Sequence, residues 1–123
     1  MAERHELGEL TLAVSTEPAG VVVKWLGRST AENPDAAVGP YLNTAMARAM
    51  SLRLALVHDF TQLAFFNSST IASLLRHFRD VEARGVVVHV RYAASQRWQR
   101  TFFAALETAR ESATRIRVEA VGV

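Results

Sequence analysis

The chain has 123 residues, a formal net charge of +2 and 50% hydrophobic residues, which is typical of one soluble globular domain. It contains no cysteine, so disulfides, thiolate metal sites and cysteine nucleophiles are excluded. The small and scattered positive charge does not predict a nucleic-acid partner. Because no apolar run is long enough to span a bilayer and the charged N-terminus lacks a signal segment, we expect a cytoplasmic protein with no membrane partner.

The first predicted elements form a hairpin. Leu10 to Val14 alternates apolar and polar residues, and Val21 to Leu26 is a second strand-like segment. Between them, Pro18-Ala19-Gly20 is a turn signal. We interpret residues 1–9 as an N-terminal tail and residues 10–123 as the domain.

A helix and a buried strand are predicted next. Asn33-Pro34-Asp35 is a loop or helix-start signal. The following helix, Tyr41 to Met50, is expected to begin near Pro40, because proline disrupts a helix interior. Leu52 to Val57 is almost continuously apolar, as in a strand buried on both faces, and His58 to Thr61 is expected to end it.

The second half of the chain alternates helices and strands. Ser68 to Arg84 has the clearest helical periodicity, and Gly85 suits the position that ends it. Val86 to Tyr92 is a strand, Ser95 to Arg110 a helix and Ile116 to Val121 a last strand. The order β-β-α-β-α-β-α-β predicts one α/β domain with a mixed, mainly parallel sheet.

Three consecutive hydroxyl residues follow the buried strand. Ser68, Ser69 and Thr70 lie where the helix begins, close to the expected carboxyl end of a parallel strand, where sites gather in such sheets. A phosphate there would face the positive end of a helix. Asn and Ser are also the best N-caps, so the residues alone favour the interpretation that Asn67 and the hydroxyls are capping groups. Both roles can hold together.

The run from Leu54 to Ile71 resembles the central motif of STAS domains, the family of anti-anti-sigma factor antagonists and their relatives. Their pattern is an apolar strand, an Asp near its end, and Asp-Ser-Ser-Gly-Leu opening a helix. Here Asp59 matches the strand-end acid, Asn67 the motif Asp and Ser68 the phosphorylated hydroxyl. A group of single-domain bacterial regulators with Asn before a hydroxyl run is more similar, and Glu32-Asn33 matches the Glu-Asn pair before its first helix.

The resemblance implies a STAS-like fold and a non-enzymatic phosphoswitch. Ser68 would be phosphorylated, with Ser69 and Thr70 as alternates. The implied partners are an anti-sigma-type Ser/Thr kinase, a PP2C-type phosphatase and an effector, in at least one relative a diguanylate cyclase. Partner binding is expected from residues of the turn, the preceding loop and the helix, namely Asn67, Ser69, Thr70, Glu32, Asn33, Asp35 and Arg76.

Other functions find weaker support. The alternative is a small-ligand or nucleotide-binding α/β domain that uses the same helix N-terminus. No catalytic constellation, cofactor motif or metal-ligand spacing is evident, so we expect no enzyme activity, no cofactor and no metal. Asp59 and Thr61 are expected to brace a loop. Trp98 and Phe102 are expected in the core, whereas Trp25 could be core or a partner anchor.

Overall fold

The computed structural model describes residues 2–109 and 116–122. They form six strands and three helices. The strands are β1 (Glu3–Leu7), β2 (Leu10–Glu17), β3 (Gly20–Ser29), β4 (Leu56–Phe66), β5 (Val88–Ala93) and β6 (Ile116–Val121). The helices are α1 (Pro34–Leu52), α2 (Ser68–Ala83) and α3 (Arg97–Ala109). The predicted end of the third helix, Arg110, lies outside the described residues.

The strands form one sheet in chain order, β1-β2-β3-β4-β5-β6. The first three pair antiparallel, and β3 to β6 pair parallel. Right-handed crossovers between successive neighbouring strands place the three helices on the same face of the sheet. The fold is thus a mixed α/β domain, as predicted.

One strand was not predicted. Within the expected N-terminal tail, β1 pairs along its whole length with β2, from Glu3 opposite Val14 to Leu7 opposite Leu10. Its residues are mostly exposed, so they lack the apolar pattern that identifies a strand in sequence. The residues of β1 therefore belong to the sheet.

Helix α1 begins earlier than predicted. The Asn33 side chain accepts a hydrogen bond from the Ala36 N–H (3.4 Å), and Pro34 occupies the first turn, where its missing N–H has no cost. Pro40 lies inside the helix. Its ring removes the bond to the Ala36 carbonyl, but Ala36 is exposed, so water can solvate that group.

Strand β4 is longer than predicted. It runs through His58 to Thr61 and ends at Phe66. Its pairing with β3 shifts register twice, after Lys24 and after Gly27, and its pairing with β5 stops at Asp59. The second half of β4 therefore bends away from β5 and brings its end towards the start of α2.

The core contains a different helix stripe from the one expected for α3. Phe103 is fully buried, whereas Trp98 and Phe102 are only partly buried and pack against Phe66. Trp25, which the sequence left open, is fully buried. Its indole is therefore part of the core and is not a partner anchor.

Candidate functional site

The turn between β4 and α2 is held by one asparagine. The Asn67 Oδ1 atom accepts hydrogen bonds from the Thr70 N–H (2.8 Å) and the Thr70 hydroxyl (2.7 Å). Its Nδ2 atom donates to the Ala31 carbonyl (3.0 Å). An aspartate has no amide N–H to donate, so Asn at this position ties the turn to the loop before α1.

A second set of contacts closes the base of the turn. The Asn67 N–H donates to the Ser29 carbonyl (3.0 Å), and the hydroxyls of Ser29 and Thr70 are 2.7 Å apart. Because Thr70 donates its single hydroxyl proton to Asn67, the Ser29 hydroxyl must donate to Thr70. Both hydroxyls are buried, and this network fixes the first turn of α2 against the end of β3.

Burial separates the three predicted hydroxyls. Thr70 is 0% exposed, so neither a kinase nor a partner can reach it in this conformation; its predicted roles as alternate phosphosite and partner contact give way to a structural one. Ser68 and Ser69 are exposed at the first two positions of α2. Within residues 2–109 and 116–122, neither side chain makes a hydrogen bond. They are therefore the two hydroxyls of this run that a kinase could reach.

One predicted partner-binding residue, Asp35, contacts α2 from the first turn of α1. Its carboxylate accepts hydrogen bonds from the Ser73 hydroxyl (2.5 Å) and from Arg76 Nη2 (2.6 Å). The hydrogen bond from Ser73, and after it the one from Arg76, lowers the pKa of Asp35 below its usual value. Two predicted site residues on different helices are thus brought together, and Ser73, which the sequence analysis missed, joins them.

The remaining loop residues have distinct positions. Asn33 is exposed and caps α1, and Glu32 is exposed beside it. Both lie on the segment that Asn67 holds through Ala31. The exposed face of the site therefore contains Ser68, Ser69, Glu32 and the Asp35–Arg76 pair, which we call the α2 face.

Asp59 and Thr61 brace a strand irregularity, not a loop. The Asp59 Oδ1 atom accepts from the Thr61 N–H (2.9 Å) and from the Thr61 hydroxyl (2.6 Å). Both residues lie inside β4, at the first register shift against β3. The Asp59 and Thr61 side chains therefore support the backbone at a bulge within the strand.

A buried pair of histidines lies behind the α2 face. The Trp25 Nε1–H donates to His58 Nδ1 (3.0 Å), and His58 Nε2 is 3.0 Å from His77 Nε2. Burial, and then the neighbouring His77, lowers the pKa of His58 well below its usual value. Burial lowers the pKa of His77 from 6.5 to about 4. Both rings are neutral at physiological pH and act as packing and hydrogen-bonding groups.

The sequence contained a signal for His77 that was missed. The buried residues of α2 are Thr70, Ser73, Leu74, His77, Phe78 and Val81. They recur at intervals of three, one and three, the spacing of one helical face. Three of these residues are polar types, so the pattern of apolar residues alone did not place His77 on the buried face.

The described residues of the site form an exposed surface around the start of α2. In the part of the chain that the structure describes, no group of three or more His, Cys, Asp or Glu side chains is placed to hold a metal ion. Nor does any helix within the described ranges have the length and apolar character needed to cross a membrane. What the site offers is an exposed, rigidly held pair of hydroxyls at a helix N-terminus.

Comparison with known proteins gives a structural likeness. No protein-family model matches the chain, and no curated protein matches it. Its fold is similar to that of the activator SiaC in the crystal structure of the diguanylate cyclase SiaD in complex with SiaC from Pseudomonas aeruginosa. The TM-score is 0.62 at 21% sequence identity, over 97% of this chain and 99% of that chain. At this identity the likeness establishes the fold.

Proposed function

We propose that this protein is a non-enzymatic regulatory phosphoswitch of the STAS-like type, which binds partner proteins according to the phosphorylation state of Ser68. The observation that carries the proposal is that one turn combines exposed hydroxyls with a buried supporting network. Ser68 and Ser69 are exposed, while Asn67, Ser29 and Thr70 hold the backbone beneath them through buried hydrogen bonds. A group added to Ser68 would therefore change the surface and leave the supporting network intact.

The expected action of a phosphate is electrostatic. It adds about −1.5 to −2 charges and three acceptor oxygens at pH 7. At the first position of α2 its charge is stabilised by the helix N-terminus, typically by about 0.3–1 kcal/mol at an exposed site. The folded state tolerates the phosphate, so the consequence falls on a partner that contacts the α2 face.

The Asp35–Arg76 pair gives this surface a second feature. Arg76 and Asp35 have side chains 57% and 55% exposed, so a partner can contact either group. A new phosphate on the same face would compete with Asp35 for the Arg76 guanidinium if a partner or a side-chain rotation brought them together. We propose that this pair belongs to the partner-binding surface, together with Ser69 and Glu32.

We further propose three partners: an anti-sigma-type Ser/Thr kinase, a PP2C-type phosphatase and an effector protein. The fold likeness to SiaC, an activator found in complex with a diguanylate cyclase, supports a diguanylate cyclase as the effector. The kinase and the phosphatase rest on the motif resemblance alone. None of these partners requires catalysis by this chain.

The rival function, a small ligand bound at the same helix N-terminus, has less support. The Thr70 N–H, one of the groups that would cradle an anion, is already bonded to Asn67 Oδ1. The neighbouring Thr70 hydroxyl is buried and cannot assist. A protein partner that reads the exposed Ser68 and Ser69 needs neither group.

The test is to purify the protein from its own host and measure its intact mass with and without phosphatase treatment. A phosphate adds about 80 daltons, and the modified peptide should span Asn67 to Ile71. The matched variants are Ser68→Ala and Ser69→Ala: only the first should abolish the added mass. An unmodified protein across several growth conditions, or a phosphate that persists in Ser68→Ala, would overturn the assignment.

A further inference from the structure

A cleft lies at the end of the sheet opposite to the end that carries Ser68. It is formed where α1 and α2 end and where β4 and β5 begin, and it has a volume of about 540 Å³. Its charged and titratable lining consists of Arg53, Arg84, Arg117 and His89. Among the residues that the structure describes, no aspartate or glutamate lines it, so the cleft has a single sign of charge.

The arginines are not needed to cap the helices. The carbonyls of Ala49 and Met50 at the end of α1 accept hydrogen bonds from the backbone N–H of Arg53. Arg53 adopts a left-handed backbone conformation (φ 55°). At the end of α2, backbone N–H groups of residues 84–86 bond to the last carbonyls in the same way. Main-chain groups therefore satisfy both helix ends, and the guanidinium groups remain available.

Two of the arginines have no partner within residues 2–109 and 116–122. The side chains of Arg53 and Arg117 make no hydrogen bond or ion pair there, while Arg84 pairs with Asp80 (3.1 Å) on the exposed surface of α2. An exposed pair of this kind is weak. Arg84 can therefore turn towards an anion in the cleft at small cost.

The charged groups that line the cleft are all basic. His89 pairs in register with Arg117 on the neighbouring strand. Burial, followed by the charges of Arg117 and Arg91, lowers the pKa of His89 below its usual value, against a smaller opposing effect of Glu119. Like charges gathered on one wall repel each other, and a bound anion would relieve that repulsion.

We propose that this cleft binds a small organic phosphate, an anion that carries more than one negative charge and an apolar group. Guanidinium groups match the geometry of phosphate oxygens with paired N–H donors. The apolar wall, which includes Met50, Leu54 and Val86, suits a ring or a short aliphatic group. The volume lies within the roughly 300–1,000 Å³ range of small-molecule sites. The site is separate from the α2 face and does not depend on the function proposed for it.

The test uses isothermal titration of the full chain with adenosine diphosphate, pyrophosphate and adenosine as probes. We expect saturable binding of the diphosphate, weaker binding of pyrophosphate and none of adenosine. Arg53→Gln and Arg117→Gln should each weaken the diphosphate about ten- to hundredfold, the loss of one charge-assisted hydrogen bond. Arg97→Gln, which removes the same charge from an exposed position at the start of α3, should change nothing.

Three outcomes would overturn the proposal. They are no saturable binding of either phosphate up to the millimolar range, equal weakening by Arg97→Gln, or binding of adenosine alone. A further variant, Ser68→Ala, separates this site from the α2 N-terminus. If Ser68→Ala weakens the diphosphate and Arg53→Gln does not, the anion binds at the hydroxyl turn and the cleft is not the site. If the phosphoswitch fails its own test, binding in the cleft is unaffected.

Discussion

His58 and His77 meet in the core with their Nε2 atoms 3.0 Å apart, one from β4 and the other from α2. Because Trp25 donates to His58 Nδ1, the single proton of neutral His58 lies on Nε2 and is donated to His77. A proton added to His77 Nε2 would place two protons in the same contact. The bond between the central strand and α2 therefore requires a neutral His77, and the bond from Trp25 requires a neutral His58.

The first prediction follows from the depressed pKa values of these rings. The pKa of His77 falls to about 4 in the folded state, from an unfolded value near 6.5. Between these values the unfolded chain binds more protons, so stability is fully present above about pH 6.5 and is lost as pH falls towards 4. Each buried histidine adds a slope of up to about 1.4 kcal/mol per pH unit. Urea unfolding at several pH values from 7 to 5 measures it.

The control for this prediction is a variant at a position without a titratable side chain. His77→Gln should flatten the pH dependence between 7 and 5, because one proton-linked group is removed. Gln96→Ala, at an exposed position just before α3, should leave the slope as it is in the original chain. Equal slopes for all three proteins would contradict the assignment of acid sensitivity to the buried pair.

The second prediction contrasts two hydroxyls separated by one residue. Ser68→Asp should change the free energy of unfolding by less than about 0.5 kcal/mol, as expected for an exposed position. Thr70→Ala should lower it by about 1–3 kcal/mol, because the buried Ser29 hydroxyl loses its acceptor and Asn67 loses a donor. Urea denaturation of both variants measures the difference. If Ser68→Asp is as destabilising as Thr70→Ala, Ser68 is a structural residue.

The third prediction concerns the bent half of β4. Gln99, fully buried on α3, donates to the carbonyls of Phe60 (2.7 Å) and Leu63 (2.8 Å) and accepts from the Ala93 N–H (2.7 Å). These groups lie where β4 no longer pairs with β5. Gln99→Leu keeps the volume but leaves three buried backbone groups unpaired, so we expect a loss of about 3 kcal/mol or more.

Its matched control is Gln96→Leu, an exposed position just before α3, which should change stability by less than about 0.5 kcal/mol. Thermal unfolding of both variants, monitored by circular dichroism, gives the comparison. A Gln99→Leu variant as stable as the Gln96→Leu variant would mean that water replaces the amide, and the bend would not depend on α3.

Part of the structure could be predicted from local sequence, and the rest depends on contacts between residues that lie far apart in the chain. The type and order of the strands and helices from Leu10 onward follow from local periodicity, although the bounds of α1 and β4 do not, and Asn67 with the exposed serines follows from capping chemistry. The bend of β4 could not be predicted, because its support comes from Gln99, 39 residues after Phe60. β1 was missed because its residues are charged and its structure depends on pairing with β2. His77 was missed because polar residue types interrupt the apolar pattern on the buried face of α2.

The last prediction uses two glycines that differ in their surroundings. A Cβ atom at Gly27 would lie 2.2 Å from the Glu9 carbonyl oxygen, and the backbone there has a φ of +90°. A Cβ atom at Gly39, inside α1, would meet nothing within 4 Å. Gly27→Ala should therefore be severely destabilising, because the backbone contact between β3 and the turn before β2 must open. Gly39→Ala should stabilise the protein by about 0.5–1 kcal/mol through helix propensity.

Urea denaturation of both glycine variants and of the original chain gives the midpoints to be compared. The opposite signs make the pair informative, since a general intolerance of alanine would lower both midpoints. A Gly27→Ala protein with an unchanged midpoint would show that the β2–β3 hairpin adapts at this position. In that case the register from Leu10 opposite Gly27 to Glu17 opposite Gly20 would not be fixed by the close approach of Gly27 to Glu9.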